Sequence, residues 1–448
     1  MSIERNQQVQ EYLNHVCSHI KWVEVHEQVK QELLSHIEDR VAEYSAEGIS
    51  EQEAIELAIN RMGDSVVLGK QLHKAHKPPT NWKLLSIVAI LAGMGLCTLY
   101  SVEMQGLLTK KLSVSIFTNS VIYVFFGLAV LLGITYFDYR KLKNFGWQLF
   151  SGTMFIWLML LMSPMLGSTT NVKPYLNLGF INIDYIGATP FLLTVALASI
   201  FFNKDWSKPN WFVSTIFLLI VPNIFYFMSP SFTGVIIYTA VFLILLSLAG
   251  VSKKQLTAIA ILPMGFSIFS LVQEPYLLDR LLTFMNPYHN PLGSGYIYIQ
   301  SIEAIRSAGL WGQGFTFSGN LPEFHTDLIF SYIVYTFGWV AGAVVIILAV
   351  ALTAIMIDLV KRVKDKFGRL LVTGLTSILG LHFLWNILMA VGLAPISGIS
   401  LPFFSYGGTQ TVINMAIIGL VLSVYRRKNV LVNPIKIRKT NEEEQLLL

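Results

Sequence analysis

Charge is what this sequence has least of. Of 448 residues only 13% are Asp, Glu, Lys or Arg, while 54% are hydrophobic; a soluble chain carries about a quarter charged residues, so water is excluded as the main solvent. Mean hydropathy is +0.57. Cysteine is nearly absent. Cys17 lies in a polar head and Cys97 in an apolar run, which excludes a disulfide scaffold. The opening stretch lacks an apolar core, so no secretory signal peptide is expected and the first span is read as an uncleaved anchor. No matched pair of spans is broken by Gly or Pro, which leaves an inverted-repeat transporter with little support.

What is present is a run of segments of about 20 apolar residues, each enough to cross a ~30 Å hydrocarbon core. They are placed at 84–102, 114–136, 147–166, 185–202, 211–228, 232–250, 256–272, 327–356, 370–392 and 408–425. Residues 1–80 carry a net charge of −5 and the remainder +10. The basic surplus sits in short loops between spans, which marks topology rather than a nucleic-acid footprint. The richer set of loops holds Arg140, Lys141 and Lys143; Lys204 and Lys208; Lys253 and Lys254; Lys361 to Arg369; and Arg426 to Lys428. Both termini are therefore expected to be cytoplasmic, which ten spans satisfy. The expected architecture is all-α: a helical head over 1–80, a ten-span body over 81–428 and a tail over 429–448.

In the head, Val9, Leu13, Val16 and Ile20 recur at helical spacing, as do Leu33, Ile37, Val41 and Tyr44. Ser50 and Glu53 read as a capping box, Gly63 as a stop, and Pro78–Pro79 as a linker. The run SHIEDRVAEYSAEGISEQEAIELAINRMGD resembles the small prefix domain found ahead of some bacterial permeases, read either as a regulatory or docking module or as a passive folding cap.

Residues 273–326 form one long loop on the expected outer face, and long structured loops on membrane proteins are usually functional. At its end, in LPEFHTDLIFSY, stands Asp327. A carboxylate at the mouth of an apolar helix is a functional candidate; it is equally a natural helix N-cap. Both readings stay open on the residues alone.

The loop also carries FMNPYHNPLGSGY, QSIEAI and GLWGQGF before LPEFHTDLIF, and a second signature, GLAPISGISLPFFSYGGTQ, spans 392–410 after Asn386. In these stretches and their order the chain resembles the SEDS (shape, elongation, division, sporulation) family from about residue 84 to 428. The resemblance implies a GT-C-like membrane glycosyltransferase that polymerises peptidoglycan strands from lipid II at the outer leaflet. Asp327 matches the family's essential aspartate, implying a general base and a candidate ligand for a divalent cation, Mg or Mn. Glu323 and His325 match the same motif. Arg280, Arg306 and Lys173 are candidate ligands for pyrophosphate or sugar. Ser405, with Tyr406 and Gly407, is placed beside the cavity. The implied partner is a class B penicillin-binding protein.

Several family motifs are altered. Pro174 and Tyr175 stand in place of an Arg-Trp pair, Asp184 to Gly187 in place of Gln-Pro-Ser-Glu, and Pro230 to Thr233 in place of Pro-Asp-Leu-Gly. Tyr335 and Thr336 fall where a Glu pair is usual, and His382 falls where Gln is common. An active polymerase with altered supporting groups and an inactive lipid II-binding relative are both compatible with this pattern, and a lipid-carrier flippase is a third reading.

Overall fold

The computed structural model describes residues 3–105, 115–162, 176–177, 182–204, 211–229, 231–261, 282–316 and 321–428. The chain divides into two compact units, 1–80 with 426–448, and 81–425.

The first unit contains α1 (Gln7–Ser18), α2 (His26–Ala46), α3 (Glu51–Met62) and α4 (Ser65–Ala75). The expected stripes close its core: Val9, Leu13, Val16, Ile20, Leu33, Ile37 and Val41 are all buried. Asn6 caps α1 and Asp64 caps α4 through their side-chain oxygens, the usual relief for orphaned helix N–H groups. Ser50 takes the N-cap position of α3, but its side chain makes no cap bond, so the expected capping box with Glu53 does not form. Both residues are exposed, where water can satisfy the same donors. Gly63 does end α3, at φ 84°. Within this unit Arg427, 2% exposed, pairs with Glu24 at 2.7 Å.

The second unit is a bundle of long apolar helices: α5 (Trp82–Met104), α6 (Ile116–Tyr136), α7 (Gly146–Met162), α8 (Tyr185–Asn203), α9 (Trp211–Met228), α10 (Phe232–Leu248), α11 (Tyr296–Ser307), α12 (Ile329–Arg362), α13 (Lys366–Ala390) and α14 (Gly408–Arg426). Six of these are long and apolar enough to cross a membrane, and α7, α9 and α10 are shorter apolar helices. Nine expected spans thus coincide with described helices. The seventh, 256–272, is helical as far as residue 261, and the rest lies outside the described residues. Two two-residue strands, Leu176–Asn177 and Asn182–Ile183, pair antiparallel just before α8.

Helices α8, α10 and α13 pack on one another at the centre. Lipid tails are as apolar as leucine, so close packing rather than water exclusion holds such helices together. Gly374 shows how: a Cβ there would strike Thr194 on α8 and crowd Leu245 on α10. Hydrogen bonds add to this in the interior, as where the Trp157 indole N–H donates to Ser229 Oγ at 2.9 Å. Side chains left outside, such as Phe125, Phe126 and Leu132 on α6, are those a bilayer would solvate.

One expected span is not a single helix. Gly338, at φ 87° and ψ 173°, breaks α12 into 329–337 and 339–362.

Candidate active site

Two loops meet at one end of the bundle. The first, 321–328, leads into α12; the second, 393–407, joins α13 to α14. They are sewn together by hydrogen bonds. Ser405 Oγ donates to the Thr326 carbonyl at 2.6 Å and accepts from Leu401 N–H at 2.7 Å. Tyr406 N–H donates to the His325 carbonyl at 2.9 Å. From beneath, the fully buried Asn386 donates through Nδ2 to the carbonyls of Asp327, at 2.8 Å, and Ile399, at 2.6 Å. Backbone groups taken from water need such partners, and here they come from both sequence signatures at once.

The two loops also hold the only non-glycine residues at positive φ among those described, Glu323 (52°) and Phe403 (69°). A left-handed residue with a side chain costs on the order of 1–3 kcal/mol and persists where its surroundings over-determine it. At Glu323 the surroundings are explicit. Thr326 and Leu328 N–H both donate to its carbonyl, and Thr326 Oγ1 donates to its Oε2 at 2.7 Å. Phe403 lies close against Gly95 of α5, where any Cβ would strike the Phe403 carbonyl.

Between the loops and the bundle lies a cavity of about 390 Å³. Asp327, Glu323 and Thr326 line it from the first loop, Tyr406 and Gly407 from the second, Asp184 from the start of α8, and His382 and Gln410 from α13 and α14. Leu328 occupies the cap position of α12 with no side-chain cap bond, so Asp327 is not the helix N-cap and its place is on the cavity wall. His325 is half-buried; its Nδ1 is buried without a hydrogen-bond partner. Burial pushes its imidazole below the ordinary value, and the Glu323 carboxylate pulls the other way.

The sequence candidates separate in space. Asp327 and Glu323 share the cavity, with His325 and Ser405 in the loops that build it. Arg306 is exposed in the last turn of α11 and is not part of the lining. Arg280 and Lys173 lie outside the described residues. The described lining holds three carboxylates and neither Lys nor Arg. Two lining residues were read in the sequence only as departures from a motif. Asp184 caps α8, its Oδ1 accepting from Gly187 N–H at 2.9 Å. His382 Nδ1 lies 3.4 Å from Gln410 Nε2. The available signal for Asp184 was its position, an acid at the mouth of an apolar helix like Asp327. Among the described residues no three His, Cys, Asp or Glu side chains gather as a metal site. The described residues of the cavity wall therefore do not compose a divalent-cation cage.

Fold and site together define a multi-pass α-helical membrane protein with an acidic cavity under two interlocked loops. The chain belongs to the FtsW/RodA/SpoVE family, described as cell cycle proteins, whose profile matches residues 82–430. It is 30% identical over 299 residues to a probable peptidoglycan glycosyltransferase FtsW of Coxiella burnetii, covering 63% of this chain and 80% of that protein. It is 24% identical to stage V sporulation protein E of Bacillus subtilis, covering 77% and 96%. Among solved structures, a chain of a peptidoglycan synthase complex superposes with TM-score 0.66 at 21% identity, covering 78% and 98%. The rod shape determining protein RodA of Thermus thermophilus superposes at 0.57 and 19%, with the same coverage. At these identities the two structures speak to the fold alone.

Proposed function

We propose that this chain polymerises glycan strands from lipid II, a disaccharide-peptide on undecaprenyl pyrophosphate. The work is done at the outer face of a bacterial cytoplasmic membrane, with both termini cytoplasmic. The observation that carries the reading is Asp327 on the wall of a cavity built by the two family signatures. In the transfer, an acceptor sugar hydroxyl attacks the anomeric carbon while the bond from that carbon to the pyrophosphate oxygen breaks. The hydroxyl proton must leave as the new bond forms, and Asp327 is the carboxylate proposed to take it. Glu323 and Asp184 add negative charge to the same space and discourage a second anion there. The leaving pyrophosphate is therefore assigned to the cavity's edge, with Arg280, Arg306 and Lys173 as its candidate cations. The family relatives named as peptidoglycan glycosyltransferases support this activity. A class B penicillin-binding protein is the proposed partner, in keeping with a fold shared with a chain of a complex that coordinates polymerization and crosslinking. The head, 1–80, is read as a docking or regulatory module carried ahead of the catalytic body.

The test is polymerisation of purified lipid II by the full chain, alone and with its penicillin-binding partner, wild type against Asp327→Ala. Strands from the wild type that vanish in the variant support the assignment. A monodisperse wild type that makes no strands with either preparation would overturn it in favour of a lipid II-binding scaffold.

A further inference from the structure

The long loop returns to the bundle through a strap, residues 309–315, bonded to the break in α12. A broken helix leaves orphan carbonyls before the break and orphan N–H groups after it. The strap satisfies both kinds. Gln313 and Gly314 N–H donate to the carbonyls of Tyr335, at 2.8 Å, and Thr336, at 3.1 Å. In return Trp339 and Val340 N–H donate to the carbonyls of Gly309, at 3.0 Å, and Leu310, at 3.3 Å. The fit is close on both sides: a Cβ at Gly338 would strike the Leu310 carbonyl, and one at Gly312 the Thr336 carbonyl. The strap's position is thus fixed by its backbone, yet its apolar side chains stay outside. Leu310 is 67% exposed and Trp311 80%; Phe315, 64% exposed, meets the Phe337 ring edge-on.

The helix below indicates what covers them. From Trp339 to Ile357, 19 residues carry no charge, and Asp358, Lys361 and Arg362 follow. At 1.5 Å per residue that stretch is about 28 Å long, close to the ~30 Å of a hydrocarbon core. Val340, Val344, Ile347 and Val350 are exposed along it, as lipid-facing residues would be. Gly338 then falls at the boundary between acyl chains and headgroups, and the strap bonded to it lies at the same height. Tryptophan favours that layer because its ring is apolar and its N–H is polar. Irregular backbone is tolerated near membrane depth where its polar groups are satisfied, and four of the strap's backbone groups are bonded to α12.

We infer that Leu310, Trp311 and Phe315 are seated in the phospholipid interface on the long-loop side, where they anchor the loop. The segment 329–337, which follows Asp327, is held by two of these four bonds, at Tyr335 and Thr336. The anchor therefore sets the height of the cavity above the acyl chains, at the level where a lipid-linked substrate presents its headgroup. This inference rests on the membrane fold and not on the role proposed for Asp327.

The experiment is site-directed spin labelling of the full chain in a Cys17→Ser, Cys97→Ser background, reconstituted in phosphatidylethanolamine–phosphatidylglycerol vesicles. Nitroxides go at 310 and 311, with 347 as the acyl-chain reference and 303, exposed on α11, as the aqueous one. Collision rates with dissolved oxygen and with a water-soluble nickel chelate give the depth. Expected at 310 and 311 is oxygen access raised above that at 303, with chelate access lowered below it. Chelate access equal to that at 303 would put the strap in water and overturn the inference. Shielding from both reagents would overturn it too, because a protein surface would then cover the strap. Both strap positions are exposed, so labelling disturbs no packed contact, and monodisperse elution before reconstitution checks the fold of each labelled chain.

Discussion

The side-chain amide of Asn386 donates a 2.8 Å hydrogen bond to the backbone carbonyl of Asp327. The same nitrogen reaches the Ile399 carbonyl at 2.6 Å, so one buried amide joins the loop that presents the acid to the loop that faces it. Asn386→Leu removes both donations and leaves two carbonyls short of a partner, at about 1–3 kcal/mol each where they are fully buried. Polymerisation of lipid II is expected to fall by roughly tenfold or more, since each 1.4 kcal/mol of lost positioning is about tenfold in rate. Turnover measured on detergent-solubilised protein of unchanged elution volume checks this. Wild-type turnover in Asn386→Leu would mean the loops hold without the amide.

Glu323 combines a strained backbone with a carboxylate at the cavity, and two substitutions separate them. Glu323→Gly relieves the left-handed φ of 52°, with an expected stabilisation of about 1 kcal/mol. It also removes the Thr326 contact and the acid. Glu323→Gln keeps the strain and an oxygen acceptor but loses the charge. If the charge matters to the reaction, both variants lose activity while only the glycine variant gains thermal stability. Equal melting temperatures for the two would show that the loop is not strained at this residue.

His325 makes the first loop sensitive to acid. Burial lowers its folded-state pKa below the ordinary 6.5, with Glu323 opposing. The unfolded loop therefore binds a proton more readily than the folded one. Stability contributed by the neutral imidazole is complete above pH 6.5 and is lost as pH falls below it, because proton uptake then favours the open state. His325→Gln is expected to flatten this dependence below pH 6.5. Thermal melts across that window decide it: parallel curves for wild type and variant would remove His325 from the account.

Much of this molecule is legible in its sequence, for reasons that differ from part to part. The spans are written in long apolar runs, which need no partner to be recognised, and Asp327 stands out because a carboxylate beside such a run is costly. What was hidden depends on groups far apart in the chain. Asp184 looks like a replaced motif until α8 brings it to the same wall as Asp327. Nothing in LPFFSYGG states that the Phe403 carbonyl packs against the backbone of Gly95 on α5, a contact that only the fold brings together. Ser50 errs the opposite way, since the local pattern of a capping box is present but its exposed side chains make no such bond. The break at Gly338 is also invisible locally. In YTFGWVAG both glycines read as tolerated helix residues, and only the strap from 309 to 314 makes Gly338 a terminus.

That dependence on a distant strap gives a sharp prediction for glycine at two positions. Gly338 and Gly312 both have positive φ, 87° and 83°, and each would drive a Cβ into a backbone carbonyl of the other segment. Gly338→Ala therefore has two ways to relax. It can let the strap detach, losing four backbone hydrogen bonds, or it can straighten α12 into a continuous helix and carry residues 329–337, with Asp327 at their head, to a new direction. Either route costs more than the roughly 1–2 kcal/mol of left-handed backbone at a non-glycine residue: detachment leaves the N–H groups at 313, 314, 339 and 340 without partners, and straightening, which pairs 339 and 340 within the helix, leaves those at 313 and 314 without them. Gly312→Ala has only the first route open to it. Both variants are expected to lose polymerisation, but only Gly338→Ala should lengthen the protected helix. Amide hydrogen exchange on the reconstituted chain separates them. Slow exchange running unbroken through 335–342 is expected in Gly338→Ala, and fast exchange at 313, 314, 339 and 340 in Gly312→Ala. Wild-type protection and turnover in both would mean that the break in α12 is not held by the strap.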